Sequence, residues 1–229
     1  MSIIRAPRIL LIAAMTAIVA ACGKDNGTNP IEGPGPTPIV YTLTVDTTLA
    51  DTATATVATQ VPVTVQLTKA GVPVPGGTVV WKSTLGSGKV SADSVVTDAN
   101  GNASILWTLG DTAGLNTLAI SSFDATTAYF GVGTADVPSN LIRVSADSSL
   151  VVTGASLPIA VRATDRLGNG AGGADVTWSA TGGQFTFTTT PAGTNGGATT
   201  VFTPTAPGTY TVTATLSGHA TILFKVVAL

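Results

Sequence analysis

Side chains that commonly catalyse reactions or bind metals are scarce in this sequence. Among 229 residues there is one cysteine, Cys22, one histidine, His219, and one glutamate, Glu32. Zinc sites combine several cysteine and histidine ligands, whereas His219 lies alone in a predicted turn before the last strand. The sequence contains neither the G-x-S-x-G turn of serine hydrolases nor a phosphate-binding glycine loop. It therefore predicts a protein that is not an enzyme and that holds no metal or other cofactor.

Aspartate is the other residue type whose side chain we consider as a metal ligand. Asp98, Asp111, Asp124, Asp165 and Asp175 all lie near predicted turns. A turn aspartate commonly accepts hydrogen bonds from nearby backbone N–H groups, and this is the reading that we favour. Calcium binding by loop carboxylates between domains is the alternative, although the spacing matches no calcium-binding loop.

Cys22 stands at the end of an apolar N-terminal segment. Arg5 and Arg8 precede residues 9–21, an apolar stretch of 13 residues. A membrane-spanning helix needs about 20 such residues. The charge, length and small terminal residues are typical of a secretory signal peptide over residues 1–21.

The residues around Cys22 resemble the lipobox of bacterial lipoproteins. They read Val19-Ala20-Ala21-Cys22. The resemblance implies cleavage before Cys22 and acylation of its thiol, so that the membrane becomes a partner through a lipid anchor. Gly23 in place of aspartate favours the outer membrane, on either its periplasmic or its surface side. The alternative is an ordinary secretory signal that leaves Cys22 as a free thiol.

Residues 22–40 form a predicted tether that follows the signal. It contains Pro30, Pro34, Pro36 and Pro38 with interspersed glycine. Such a composition favours an extended linker without a core, and residues 23–40 would span up to about 55 Å at about 3.1 Å per residue. The remaining chain is nearly neutral and has no basic patch, which argues against nucleic acid as a partner.

The chain beyond the tether repeats itself. Three pairs of segments recur in the same order at offsets of 95 to 97 residues: 61–68 with 157–164, 79–81 with 176–178, and 100–103 with 195–198. A repeat of this length is that of a whole domain. The sequence therefore predicts one domain over residues 41–137 and a second over residues 138–229.

Each repeat has the pattern of an all-β, immunoglobulin-like sandwich. Apolar residues alternate with polar ones over residues 61–67 and again over 157–163. This period of two predicts strands with one buried face, and about seven short strands per 100 residues is the immunoglobulin-like pattern. We expect four large residues to supply much of the two cores: Trp81, Trp178, Phe130 and Phe224. Trp107 is interpreted as a core residue in the role of Phe202, with an exposed ligand-binding aromatic as the alternative.

Two motifs in the first repeat resemble the bacterial immunoglobulin-like (Big-1) repeats of the invasin and intimin group. They are the segments 71–81, GVPVPGGTVVW, and 97–103, TDANGNA; the second repeat matches more loosely over 168–173 and 194–198. The resemblance implies an extracytoplasmic stack of domains. It predicts an envelope lipoprotein that acts as an adhesion-type module or a spacer for an unidentified protein or glycan ligand. A carbohydrate-binding or accessory module that serves a partner enzyme or envelope complex is the alternative.

Overall fold

The computed structural model describes residues 40–46 and 52–229. The described residues contain strands and turns, and they belong to one compact unit. The predicted signal peptide over residues 1–21, with Val19, Ala20 and Ala21, lies outside the described residues, as do Cys22 and the predicted tether up to residue 39. Within the described part of the chain, no helix is long and apolar enough to cross a membrane.

Ten strands build a first sandwich from two sheets. In one sheet the strand order is β1-β3-β8-β6, with β4 paired to β3, and in the other it is β2-β10-β9-β5-β7. All pairs are antiparallel except β2 with β10. The strands are β1 (Tyr41–Val45), β2 (Thr52–Thr56), β3 (Gln60–Lys69), β4 (Val72–Pro73), β5 (Thr78–Leu85), β6 (Lys89–Val90), β7 (Ser94–Val96), β8 (Asn102–Thr108), β9 (Gly114–Ser122) and β10 (Ala125–Thr134).

Nine strands repeat this arrangement in a second sandwich. The orders β11-β13-β17-β15 and β12-β19-β18-β14-β16 reproduce those of the first sandwich without the short β4, and β12 again runs parallel to β19. The all-β, immunoglobulin-like fold class is confirmed. The strands are β11 (Asn140–Arg143), β12 (Ser148–Val151), β13 (Leu157–Thr164), β14 (Asp175–Ala180), β15 (Gln184–Phe185), β16 (Thr189–Pro191), β17 (Gly197–Thr203), β18 (Gly208–Leu216) and β19 (Ala220–Ala228).

Each sandwich encloses its own apolar core. On β3 the alternate residues Val61, Val63, Val65 and Leu67 face inward, as their period of two predicts. The described chain has no cysteine to form a disulfide, so burial of apolar surface at about 25 cal/mol per Å² is the main stabilising term. The predicted boundary after residue 137 falls in the connection between β10 and β11 and stays a prediction.

The aromatic core residues are mostly those expected. Trp81, Trp107 and Trp178 are at most 3% exposed, and Phe202 and Phe224 are also buried. Trp107 is therefore a core residue, and its alternative role as an exposed ligand-binding aromatic is excluded.

The prediction that Phe130 belongs to the core is wrong. On β10 the neighbours Tyr129 and Gly131 face inward, and Phe130 is 42% exposed on the outer face. An added Cβ at Gly131 would lie 2.8 Å from Cδ2 of Leu109 and 3.0 Å from Cζ3 of Trp107. The indole of Trp107 thus fills the space that a second large ring from β10 would need.

Candidate functional site at the junction of the sandwiches

The most completely hydrogen-bonded polar cluster is the loop 165–169 between β13 and β14. Oδ1 of Asp165 accepts hydrogen bonds from the backbone N–H groups of Leu167, at 2.9 Å, and Asn169, at 2.8 Å. The Asp165 N–H in turn donates to the Asn169 carbonyl at 2.9 Å. Gly168 has a φ of +90°, a conformation that favours glycine. Together these contacts close a tight turn around the aspartate side chain.

The same loop reaches residues of the first sandwich. Oδ1 of Asn169 accepts from the Ala113 N–H at 2.8 Å, and its Nδ2 donates to the Asp111 carbonyl at 2.8 Å. Ala113 and Asp111 lie in the connection between β8 and β9. One amide side chain therefore pairs with both a donor and an acceptor of the preceding domain.

Asp165 also holds the segment that connects the sandwiches. Its Oδ2 accepts from the backbone N–H of Asp136 at 3.1 Å and from Nδ2 of Asn169 at 3.0 Å. Asp136 follows the end of β10, and Ser139 donates its N–H to the Thr164 carbonyl at 2.8 Å. The connecting segment is thus bonded to the second sandwich at two points.

Asp165 is ionised in this setting. Its burial disfavours the charged form, but the hydrogen bonds from Asn169, Asp136 and Leu167 outweigh that cost and hold the pKa of the carboxyl below its ordinary value of 3.8. A carboxylate that accepts several N–H bonds is a strong local organiser because each bond is charge-assisted. The junction therefore depends on a buried negative charge.

A second turn has the same sequence pattern as the loop 165–169 and forms its hydrogen bonds within the first sandwich. Residues 98–102 and 165–169 share the pattern D-x-x-G-N. Oδ1 of Asp98 likewise accepts from the N–H groups of Asn100 and Asn102, at 2.8 and 2.9 Å. Asn102 continues into β8, whereas Asn169 turns to the other sandwich. The turn was predicted from sequence, but the contacts across the junction were not, because they depend on the position of the turn in the fold.

The remaining aspartates do not converge on a metal site. Asp98, Asp111, Asp124 and Asp175 are exposed. Among the described residues, no three His, Cys, Asp or Glu side chains lie close enough to hold an ion. His219 is exposed in the turn before β19, as predicted.

Two shallow clefts lie on the first sandwich. One, of about 400 Å³, is lined by Trp81, Lys82, Ser83 and Lys89 among others. The other, of about 310 Å³, is lined mainly by Thr44, Gln66 and Asn102. Neither brings a nucleophile together with a histidine base, which is the arrangement that covalent hydrolysis usually needs.

Exposed aromatic residues do not line up on one sheet of the described chain. Phe123 lies in the turn between β9 and β10, Phe130 on the outer face of β10, and Phe187 in the second sandwich between β15 and β16. A row of exposed rings is the feature expected of a carbohydrate-binding face. Its absence among the described residues counts against that alternative.

The second sandwich matches a known protein family. Residues 143–226 match the bacterial Ig-like domain (group 1) family. The second sandwich is therefore similar to group 1 bacterial Ig-like domains. The matched region includes the loop 165–169, which bonds to the sandwich that precedes it in the chain.

Three solved structures are similar to this chain. The Escherichia coli adhesin FdeC aligns with a TM-score of 0.55 at 19% identity, over 84% of this chain and 65% of that one. Invasin, described as a bacterial integrin-binding protein, aligns at 0.39 and 22% identity over 83% and 40%. The D0-D1 fragment of intimin aligns at 0.32 and 20% identity over 82% and 97%. The chain thus spans about two fifths of the invasin structure. No curated protein matches the sequence.

Proposed function

We propose that this chain is a lipid-anchored, non-catalytic envelope protein whose paired Ig-like domains serve as a spacer or an adhesion-type module. The observation that carries the proposal is the bonded junction, in which Asp165 and Asn169 tie the second sandwich to both the connecting segment and the first sandwich. A tethered pair of independent binding domains would not need such contacts, whereas a spacer needs a defined separation between its ends.

The sequence supports the anchor. Cys22 follows a 13-residue apolar stretch and the small residues Ala20 and Ala21. Acylation with two or more chains anchors a protein stably, while one chain binds only marginally. The group 1 family match over residues 143–226 and the fold shared with FdeC support an envelope role of the adhesin type.

The experiment compares the full chain with its Cys22→Ala variant in the native host. We expect the wild-type chain in the outer-membrane fraction, with mass spectrometry showing an acylated Cys22, and the variant in the soluble fraction. A wild-type chain that is soluble and unacylated would contradict the anchor.

Protease treatment of intact cells then separates the two roles. Loss of the sandwiches from unbroken wild-type cells would support an adhesion-type module on the surface. Protection until the outer membrane is broken would support a periplasmic spacer.

A further inference from the structure

An aromatic pair marks the end of the first sandwich at which the chain enters the fold. Tyr41 begins β1, and its ring stacks on that of Phe123, with centroids 4.3 Å apart and planes at 17°. Nζ of Lys69, at the end of β3, lies 5.4 Å from the centre of the Tyr41 ring. The three side chains come from β1, from β3 and from the turn between β9 and β10, and they meet on the surface.

Phe123 adopts a conformation that a residue of its type rarely has. It lies in the two-residue turn between Ser122 and Ala125, with a φ of +49°, and is 64% exposed. Positive φ is unfavourable for bulky residues, and hairpin turns usually place glycine, asparagine or aspartate there. A strained, exposed aromatic residue is the kind of outlier that concentrates at binding sites.

Apolar side chains surround the pair at the same end. Val40 precedes β1 and is 55% exposed, Val72 on β4 is 65% exposed, and Val96 at the end of β7 is 60% exposed. We call this set the proximal cap; it consists of Val40, Tyr41, Lys69, Val72, Val96 and Phe123. It is an apolar surface with one cation at its edge.

The corresponding end of the second sandwich differs at the positions of the aromatic pair. Asn140 and Thr164 form the strand pair that corresponds to Tyr41 and Lys69 in the first sandwich. The turn 217–219, which contains His219, stands at the position of the Phe123 turn. This end of the second sandwich carries the loop 165–169 that bonds to the preceding domain. The stacked aromatic pair is therefore particular to the sandwich that follows the predicted tether.

The charges at this end give no net attraction for anions. Among the described residues, Lys69 is accompanied here by Asp98 and Asp124, both exposed. Contact through this surface must therefore come from apolar burial. Tyrosine and other amphipathic rings favour the boundary between headgroups and acyl chains, and a lysine at such a boundary extends its ammonium into water.

We propose that the proximal cap docks on the phospholipid surface to which Cys22 anchors the chain. The inference rests on the proposed lipid anchor, since residues 23–40 place the cap within 18 residues of Cys22. A short linker gives the tethered domain a high effective concentration at the membrane, so shallow burial of a few side chains suffices. The occupant is a zwitterionic phospholipid surface, and docking is insensitive to salt.

The test uses the full, acylated chain in phosphatidylcholine–phosphatidylethanolamine vesicles that contain lipids with brominated acyl chains. Bromine quenches tryptophan emission at short range, and the three native tryptophans are buried. A Phe123→Trp variant supplies a reporter in the cap, and Phe187→Trp is the matched control because Phe187 is 60% exposed in the second sandwich. We expect roughly a twofold loss of the added emission for Phe123→Trp and little for Phe187→Trp, at low and high salt alike.

A second pair of variants separates docking from folding. Val72→Trp should be quenched, and adding Phe123→Asn should abolish that quenching. Asparagine tolerates positive φ, so this substitution should leave the thermal unfolding midpoint unchanged or higher. Quenching of Val72→Trp that persists in the Phe123→Asn background would overturn the role of Phe123.

The remaining outcomes distinguish the two proposals. An acylated chain whose Phe123→Trp emission is not quenched overturns docking and leaves the lipid anchor intact. A chain with unmodified Cys22 overturns the anchor and the docking that rests on it. Emission that changes only on addition of purified peptidoglycan overturns the lipid surface as the occupant.

Discussion

Asp165 is the one aspartate of the described chain whose burial and bonding together assign it a defined role at the junction. Its side chain joins three backbone N–H groups and one amide, and these donors come from the loop itself and from the connecting segment. Replacing a carboxylate with an amide removes the charge and substitutes a donor for one acceptor. The two groups that donate to Oδ2, the Asp136 N–H and Nδ2 of Asn169, would then face a donor instead of an acceptor, and an unsatisfied buried polar group is costly.

The stability of the second sandwich should therefore depend on pH through Asp165. The folded pKa lies below the ordinary 3.8, so the unfolded chain binds more protons in the acid range and stability rises with pH. The contribution is present above the ordinary pKa and is lost as pH falls through the folded pKa. We expect the unfolding midpoint of Asp165→Asn to lie below that of wild type at neutral pH and to approach it in acid. Asp175→Asn, at an exposed position, is the control; a constant gap across the pH range would contradict the argument.

Among the secondary-structure elements, two equivalent strand pairs differ in whether the indole N–H of the core tryptophan has a hydrogen-bond partner. In the second sandwich, Nε1 of Trp178 donates to Oγ1 of Thr190 on β16 at 2.8 Å. Val79 and Val176 each lie two residues before the core tryptophan of their sandwich. Val79 pairs with Val95 on β7, and Val176 pairs with Thr190 on β16, so Val95 occupies the position in the first sandwich that Thr190 occupies in the second. Nε1 of Trp81 is buried and has no hydrogen-bond partner among the described residues. The first sandwich thus lacks one hydroxyl that the second has.

Supplying that hydroxyl should stabilise the first sandwich. Val95→Thr is nearly isosteric and places an acceptor where Thr190 has one. We expect a gain of about 1 kcal/mol in the free energy of unfolding, the usual net value of a hydrogen bond. Thr190→Val should cost about 1–3 kcal/mol by leaving the indole of Trp178 unpaired. Chemical denaturation measures both, and a Val95→Thr variant less stable than wild type would refute the equivalence of the two positions.

Periodicity predicts most of these elements but not their neighbours in space. The alternation over residues 61–67 correctly assigns the inward face of β3, and the spacing of Trp81 and Trp178 correctly assigns the two core tryptophans. Phe130 was misassigned because composition does not reveal which face of β10 points inward. Asn169 was missed because its partners, Asp111 and Ala113, are more than 50 residues away in the chain.

The Asn169 side chain connects a loop of the second sandwich to the first sandwich. Asn169→Ala removes both bonds to the first sandwich and leaves the Asp165 bonds to backbone N–H groups in place. We expect the two domains to tumble more independently, with shorter rotational correlation times in 15N relaxation, and the fold of each to persist. Asn195→Ala is the control, because the Asn195 side chain bonds locally to Gly197. Equal correlation times for the two variants would show that Asn169 does not restrict the junction.

At the scale of the whole molecule, the two sandwiches have separate cores and are joined by a few polar bonds. Leu216 is fully buried in the second core, as Leu118 is in the first. Truncating such a leucine to alanine usually costs about 2–5 kcal/mol. The two direct bonds of Asn169 across the junction contribute about 1 kcal/mol each, which together is no more than the loss from one such truncation. Damage to one core should therefore stay within its own sandwich.

Hydrogen exchange tests this independence in the full chain. We expect Leu216→Ala to speed amide exchange on β13, β14 and β18 while β3, β8 and β9 keep their wild-type protection. Leu118→Ala should give the reverse pattern. If Leu216→Ala instead lowered protection in both sandwiches by the same factor, the junction would couple the domains into one cooperative unit. The bonds of Asp165 and Asn169 would then contribute far more free energy to unfolding than their number implies. So few contacts can couple the unfolding of two cores only if each sandwich needs the other in order to fold.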